Sequence, residues 1–376
     1  MNKIYSLLIF SFLFSSCSTI TLREGLRIDE KADWLGSGRG EGNTNISSSE
    51  IKLNPPFKLI WSYNAESGFP KNSLAVSDGV LFAGCLSGSV QAVNLKNGSG
   101  IGKASTKSKS CYSNPLILKN IIVLAFGDGE ENFITGYDFK KGVFKWKTST
   151  DRIMSSPVIK NELVYYADTK GGVYSVNAET GEKKRIYKNE NPFFTSPVLC
   201  GGLLVTGDSK GILTAVDIIN ENSAWTFKTG GGIYSDVSFR NNRYFFGSDD
   251  GFFYCLDSAG SLVWKKNLST KFLSSCSFYS DNVITAGVNG KIYSLNIISG
   301  ETSWEVQTGG AFSASPVVND DKIFIGSFDM HFYCLDAKNG RVLWKYNLED
   351  RIRTTAVIWK KFILVANDDK SIYCFQ

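Results

Sequence analysis

The sequence predicts an all-β fold, an eight-bladed β-propeller of four-stranded antiparallel blades closed by an N-terminal outer strand. Three observations predict it. Tryptophans recur at Trp61, Trp146, Trp225, Trp264, Trp304 and Trp344, with gaps of 85, 79, 39, 40 and 40 residues. First-strand segments begin near Ser73, Ser113, Ser155, Thr195, Ser235, Ser274, Ser315 and Thr354, which makes eight units. The last unit stops at Gln376 after its third strand, SIYCF, while a spare strand, KLIWSYN at 58–64, precedes the first. Short strands in fours cannot bury their faces alone, and radial stacking of such units leaves only short edges.

The N-terminus reads as an address. Residues 1–17, MNKIYSLLIFSFLFSSC, place one early lysine before an apolar run and then small residues, the pattern of a secretory signal peptide. The run is too short to span a bilayer of about 30 Å. Ser15 and Ser16 before Cys17 resemble a bacterial lipobox, with Phe14 where leucine is usual, and imply lipidation at Cys17. The expected destination is the bacterial cell envelope, anchored by lipid to the outer membrane and facing the periplasm. Residues 18–57 read as a flexible tether and lead-in, because GSGRGEG (36–42) has no apolar periodicity.

Residues 58–376 read as one propeller, although length alone suggests two to three domains at about 150 residues each. SSPVI (155–159), LVYYAD (163–168), GVYSVNA (172–178) and KKRIYK (183–188) give the four strands of one unit. Asp/Gly turns such as DSKG (208–211) and SDDG (248–251) join second to third strands, and turns ending at Gly181, Gly300 or Gly340 join third to fourth. Eight residues before each tryptophan site stands Asn94, Asp138, Asn177, Asp217, Asn296 or Asp336, whereas Asp257 lies seven before Trp264. Gly102 and Arg185 occupy the two places where tryptophan is missing.

Composition narrows the function. A net charge of +5 without a Lys/Arg block argues against nucleic acid as partner. A single histidine, His331, excludes multi-histidine metal sites. Seven cysteines follow Cys17 without CxxC or CC spacing, and Cys255, Cys334 and Cys374 fall in equivalent YCL or YCF frames as small buried residues.

LDAKNGRVLW (335–344) and LNIISGETSW (295–304) place Asp or Asn, then Gly, then Trp. They resemble the pyrroloquinoline-quinone-type propeller repeat family, over residues 58–376, and DWLGSGRGEGNTN (33–45) resembles the segment that precedes the propeller in many members. The resemblance implies that Trp61, Trp146, Trp225, Trp264, Trp304 and Trp344 dock between neighbouring blades. Catalytic members, the quinoprotein alcohol and glucose dehydrogenases, carry inserted loops and often an adjacent cysteine pair. This chain has neither a CC pair nor a CxxCH haem motif, so no cofactor, metal or catalytic residue is expected. A lipid-anchored eight-bladed propeller resembles the outer-membrane assembly lipoprotein family typified by BamB. That implies a monomeric, non-catalytic scaffold for periplasmic or outer-membrane proteins, a β-barrel insertase among them. A propeller that binds a small ligand or carbohydrate, and a quinoprotein dehydrogenase, are the alternatives.

The expected working face joins the first-strand entry loops to the turns between second and third strands. The entry loops carry Phe69, Ile153, Phe193, Phe194, Ile233, Phe272, Phe312 and Ile352, and the turns carry carboxylates. Phe193, Phe194, Ile233, Phe272 and Phe312, with Asp208, Asp249 and Asp250, are the candidate partner-binding residues. Packing at the mouth of the central channel is the other reading of the apolar set.

Overall fold

A computed structural model describes residues 19–376 apart from 30, 40, 41, 48–50, 107–109, 128 and 129. Cys17 and residues 1–16 lie outside the described residues. The strands form eight sheets arranged as a ring. Blade 3 is typical: Val158–Lys160, Leu163–Ala167, Gly172–Asn177 and Lys183–Lys188 follow one another from the axis outward, each antiparallel to the last. The innermost strands are only three residues long in blades 2 to 8. In blades 3, 4 and 7 Pro157, Pro197 and Pro316 precede them, and proline has no N–H for the ladder.

Middle strands are buried along nearly their whole length because neighbouring blades cover both faces, while outer strands alternate toward solvent. Outer strands also carry a register shift beside the tryptophan position, as between Phe144 and Trp146 or Cys334 and Leu335. The shift turns the indole onto the next blade. Trp61, Trp146, Trp225, Trp264 and Trp304 lie over Gly98, Gly181, Gly260, Gly300 and Gly340 of the following blade, where a methyl group would come within 2.7 Å or less of the ring. The indole N–H groups of Trp61, Trp146, Trp264 and Trp304 donate to Leu95, Ala178, Ile297 and Ala337 carbonyls at 2.8–3.2 Å. Blade 5's turn is a residue shorter, and the Trp225 N–H has no partner among the described residues. Trp344 instead packs edge-on against Phe57 and Phe375.

The ring closes as the sequence predicts. Leu59–Asn64 is the outer strand of blade 8, antiparallel to Ser371–Phe375, and pairs Trp61 with Cys374. Lys58 and Gln376 exchange backbone hydrogen bonds at 2.9 and 3.0 Å.

The lead-in corrects an expectation. The described residues between 19 and 47 are not a flexible tether; they pack into the ring. Trp34 is 1% exposed and pairs with Val76 on the innermost strand of blade 1. Asp33 accepts hydrogen bonds from Ser77 Oγ of blade 1 (2.6 Å) and Trp359 Nε1 of blade 8 (2.8 Å). Further along, Asn43 Nδ2 donates to the Val237 carbonyl of blade 5, and Asn45 Nδ2 donates to Ser275 Oγ and the Cys276 carbonyl of blade 6. Ile46–Ser47 then adds a short parallel strand inside blade 7, beside Val318 and Asn319. The segment thus crosses the central channel and is held there by buried polar contacts, an arrangement apolar periodicity does not reveal.

Residues 19–22 also repair the first missing tryptophan. Gly102 leaves the junction between blades 1 and 2 open. Ile20, fully buried, fills it, and the Leu22 N–H donates to the Phe139 carbonyl at 2.8 Å. That carbonyl stands three residues before Gly142, as Ala178 stands before Gly181, so a backbone N–H substitutes for the indole. At the other vacancy, Arg185, the facing turn has Glu221 in place of glycine.

Candidate functional site

Each blade enters its first strand through a short extended segment, in which successive side chains point to opposite sides. One residue of each segment is a buried wedge: Phe69, Cys111, Ile153, Phe193, Ile233, Phe272, Phe312 and Ile352 are all at most 5% exposed. A wedge packs against the end of the previous blade's second strand. A methyl group at Gly207, Gly247 or Gly326 would overlap Ile233, Phe272 or Ile352. Phe193, Ile233, Phe272 and Phe312 are therefore blade-to-blade packing and not a binding surface. Of the apolar candidates, Phe194 alone faces outward.

The residue after each wedge lines a funnel at the channel mouth. Pro70, Tyr112, Met154, Phe194, Tyr234, Leu273, Ser313 and Arg353 contribute one side chain per blade to a cavity of about 380 Å³. Tyr112, Met154, Phe194, Tyr234 and Leu273 make an apolar crescent over blades 2 to 6, with the Phe194 and Tyr234 rings 5.7 Å apart. Arg353 stands across from it, held by Asp368 through two 2.6 Å hydrogen bonds that also raise its pKa. Arg152 lies over the Tyr112 ring at 5.0 Å and donates to its hydroxyl.

Two residues after each rim position the chain forms a polar belt. The Asn114 N–H donates to Ser156 Oγ (3.1 Å), Ser156 N–H to Ser196 Oγ (3.1 Å), Ser196 N–H to Asp236 Oδ1 (2.7 Å) and Ser315 N–H to Thr355 Oγ1 (3.2 Å). Each bond links one blade to its neighbour. Lys71 of blade 1 reaches across the axis to buried Asp236 of blade 5, Nζ to Oδ2 at 3.1 Å, and also donates to the Leu273 carbonyl of blade 6. Asn72 donates to Asp236 and to Ser37 of the threaded segment. The funnel therefore ends on a Lys71–Asp236 bar, with Asp33, Trp34, Asn43 and Asn45 packed behind it.

The acidic candidates build turns. Asp208 is fully buried and accepts from the Lys210 and Ile212 N–H groups and from Asn189 and Asn191. Burial pushes the Asp250 carboxyl up, but Tyr254 Oη (2.6 Å) and the Phe252 and Gly230 N–H groups outweigh it and hold the pKa below the usual carboxylate value. Asp329 repeats this arrangement with Tyr333 and the His331 N–H. Asp249 is paired with Lys271 at 2.8 Å. His331 turns its Nδ1 to the Asp329 carbonyl oxygen at 2.9 Å, outside the funnel lining. Among the described residues no three His, Cys, Asp or Glu side chains converge as metal ligands, and no helix is long and apolar enough to cross a membrane. Burial pushes the thiols of Cys85, Cys111, Cys255, Cys276, Cys334 and Cys374 up to about 12.

The rim had a signal in the sequence: in six of the eight blades a large residue stands directly after the wedge and directly before Ser or Thr, as in IMSS, FFTS and IYSD. The Lys71–Asp236 bar had none, since it joins blades 165 residues apart.

A family model described as outer membrane protein assembly factor BamB matches residues 58–227 and 223–358. The outer membrane protein assembly factor BamB of Yersinia pestis is 25% identical over 219 residues, half of this chain and 55% of that one. A tetrathionate hydrolase of Acidithiobacillus ferrooxidans is 23% identical over 336 residues, 81% of this chain and 64% of that one. The chain thus spans less than two thirds of either relative. In fold, BamB from Moraxella catarrhalis superposes with a TM-score of 0.74 at 15% identity, covering 85% of this chain and 99% of that one. A europium-containing methanol dehydrogenase has a TM-score of 0.79 at 12% identity, covering 92% and 98%.

Proposed function

The chain belongs to the outer membrane protein assembly factor BamB family, and from that membership we propose that it is a non-catalytic envelope scaffold that docks a partner protein on its funnel face. One observation carries the reading: five of the eight rim side chains form an apolar crescent opposite a fixed arginine, around a funnel floored by a salt bridge. Aromatic anchors beside a half-exposed arginine are the residues that dominate protein interfaces. The arrangement suits a partner segment that offers apolar side chains to the crescent and a carboxylate to Arg353. A periplasmic domain of a β-barrel insertase is the partner class the membership suggests, and a Cys17 lipid anchor in the outer membrane, facing the periplasm, completes the reading.

The test is co-purification from the native envelope. Phe194→Ala with Tyr234→Ala removes two neighbouring anchors, and at about 1 kcal/mol or more for such groups capture should fall about tenfold or more. Unchanged capture would refute the funnel face as the docking surface. The enzyme reading, supported by the hydrolase and dehydrogenase likenesses, predicts instead that added quinone with calcium gives a bound chromophore.

A further inference from the structure

We propose that the outer edge of blades 1 and 2 lies against an anionic lipid surface, so that the propeller is clamped to the membrane by its rim and not suspended from a tether. The inference rests on the Cys17 anchor reading. Residues 19–22 are stitched into the blade 1–2 junction: Thr19 pairs with Lys103 on the outer strand of blade 1, and the Ile20 carbonyl accepts from Tyr137 Oη of blade 2 at 2.9 Å. Only Ser18 separates Thr19 from Cys17. Two residue steps reach at most about 7 Å. A lipid on Cys17 would therefore bring headgroups to within about one Debye length of this edge.

The edge suits that occupant. Val143 and Phe144 are 49% and 37% exposed on the outer strand of blade 2. Exposed Lys140 and Lys141 stand just before them in the chain, and neither lysine takes part in an ion pair among the described residues. Gly142, next to the lysines, lies against Thr19 and Thr21, and the Lys140 side chain runs beside Gly25. An acyl anchor with a basic, partly apolar patch gives the two signals that stable membrane apposition needs. Blade 5 carries a strip of the same chemistry, Leu262, Val263 and Lys265. It is three blades from blade 2 and four from blade 1, across the ring and beyond the reach of the anchor.

The protein processed in a bacterial envelope is reconstituted into phosphatidylglycerol vesicles, and lysine acetylation is mapped by mass spectrometry. Lys140 and Lys141 should be protected at least about threefold more than Lys265, and less on phosphatidylcholine vesicles. Equal reactivity of the two strips, or equal protection on both lipids, would overturn the edge assignment. The N-terminal peptide is read separately. If Cys17 heads the mature chain unmodified, the biological anchor falls, and the edge is tested on the same protein coupled through Cys17 to maleimide-headgroup vesicles with the same two outcomes. A mature chain that lacks Cys17 overturns both.

Discussion

Replacing Trp264 with alanine tests what joins blade to blade. Trp264 is 9% exposed, lies over Gly300 (φ +72°), and donates to the Ile297 carbonyl at 3.2 Å. A buried tryptophan removes about 150–250 Å² from water. At about 25 cal/mol per Å² this is about 4–6 kcal/mol, and truncations of buried aromatic residues cost about 3–5 kcal/mol in practice. Unfolding entropy of about 2.1 cal/mol/K per residue gives about 0.67 kcal/mol/K for a chain of this propeller's length, so a 4 kcal/mol loss lowers Tm by about 6 °C. Differential scanning calorimetry reads the shift. A change below about 2 °C would refute the tryptophan as the clamp between blades 5 and 6, because it would mean the indole removes little surface from water there.

Other expectations concern the threaded segment, acid and the thiols. Asp33→Ala strands the Trp359 indole N–H and the Ser77 hydroxyl, at about 1–3 kcal/mol for each buried group, which thermal melting detects; no change would mean that the channel segment does not hold blades 1 and 8. Asp250 and Asp329 have lowered folded pKa values, so the stability they add is present above the unfolded value of about 3.9 and is lost as pH falls through the folded value. Asp250→Asn with Asp329→Asn should therefore melt well below the parent at pH 7 and close to it near pH 2, and a gap that does not shrink in acid would contradict this. The six buried thiols should resist maleimide in the native protein and react on unfolding, as mass spectrometry can count; rapid native labelling of Cys255 or Cys334 would count against their burial.

The blades were legible because their signals are periodic. Trp61 to Trp344, the turns at Gly181, Gly300 and Gly340, and the leftover strand at 58–64 each follow from a repeat near forty residues, and the ring they imply is the observed one. The channel segment was not legible because polar contacts hold it: Asp33, Asn43 and Asn45 are buried among blades up to 326 residues away, and no local pattern announces that. The candidate site was half legible. In the pair Phe193–Phe194, strand alternation says that one side chain points in and the other out. Which one depends on the small residue ending the preceding blade's second strand, as Gly207 does for Ile233. The carboxylates Asp208 and Asp250 misled because a turn-building aspartate and a free rim aspartate look alike in sequence.

The docking claim is tested most directly by photocrosslinking in the intact envelope. Benzoylphenylalanine is placed at position 234 in the funnel, or at Asn241, exposed on the opposite face between the first two strands of blade 5. The account predicts a defined protein adduct from position 234 and none from position 241. An adduct from position 241 with none from position 234 would contradict it.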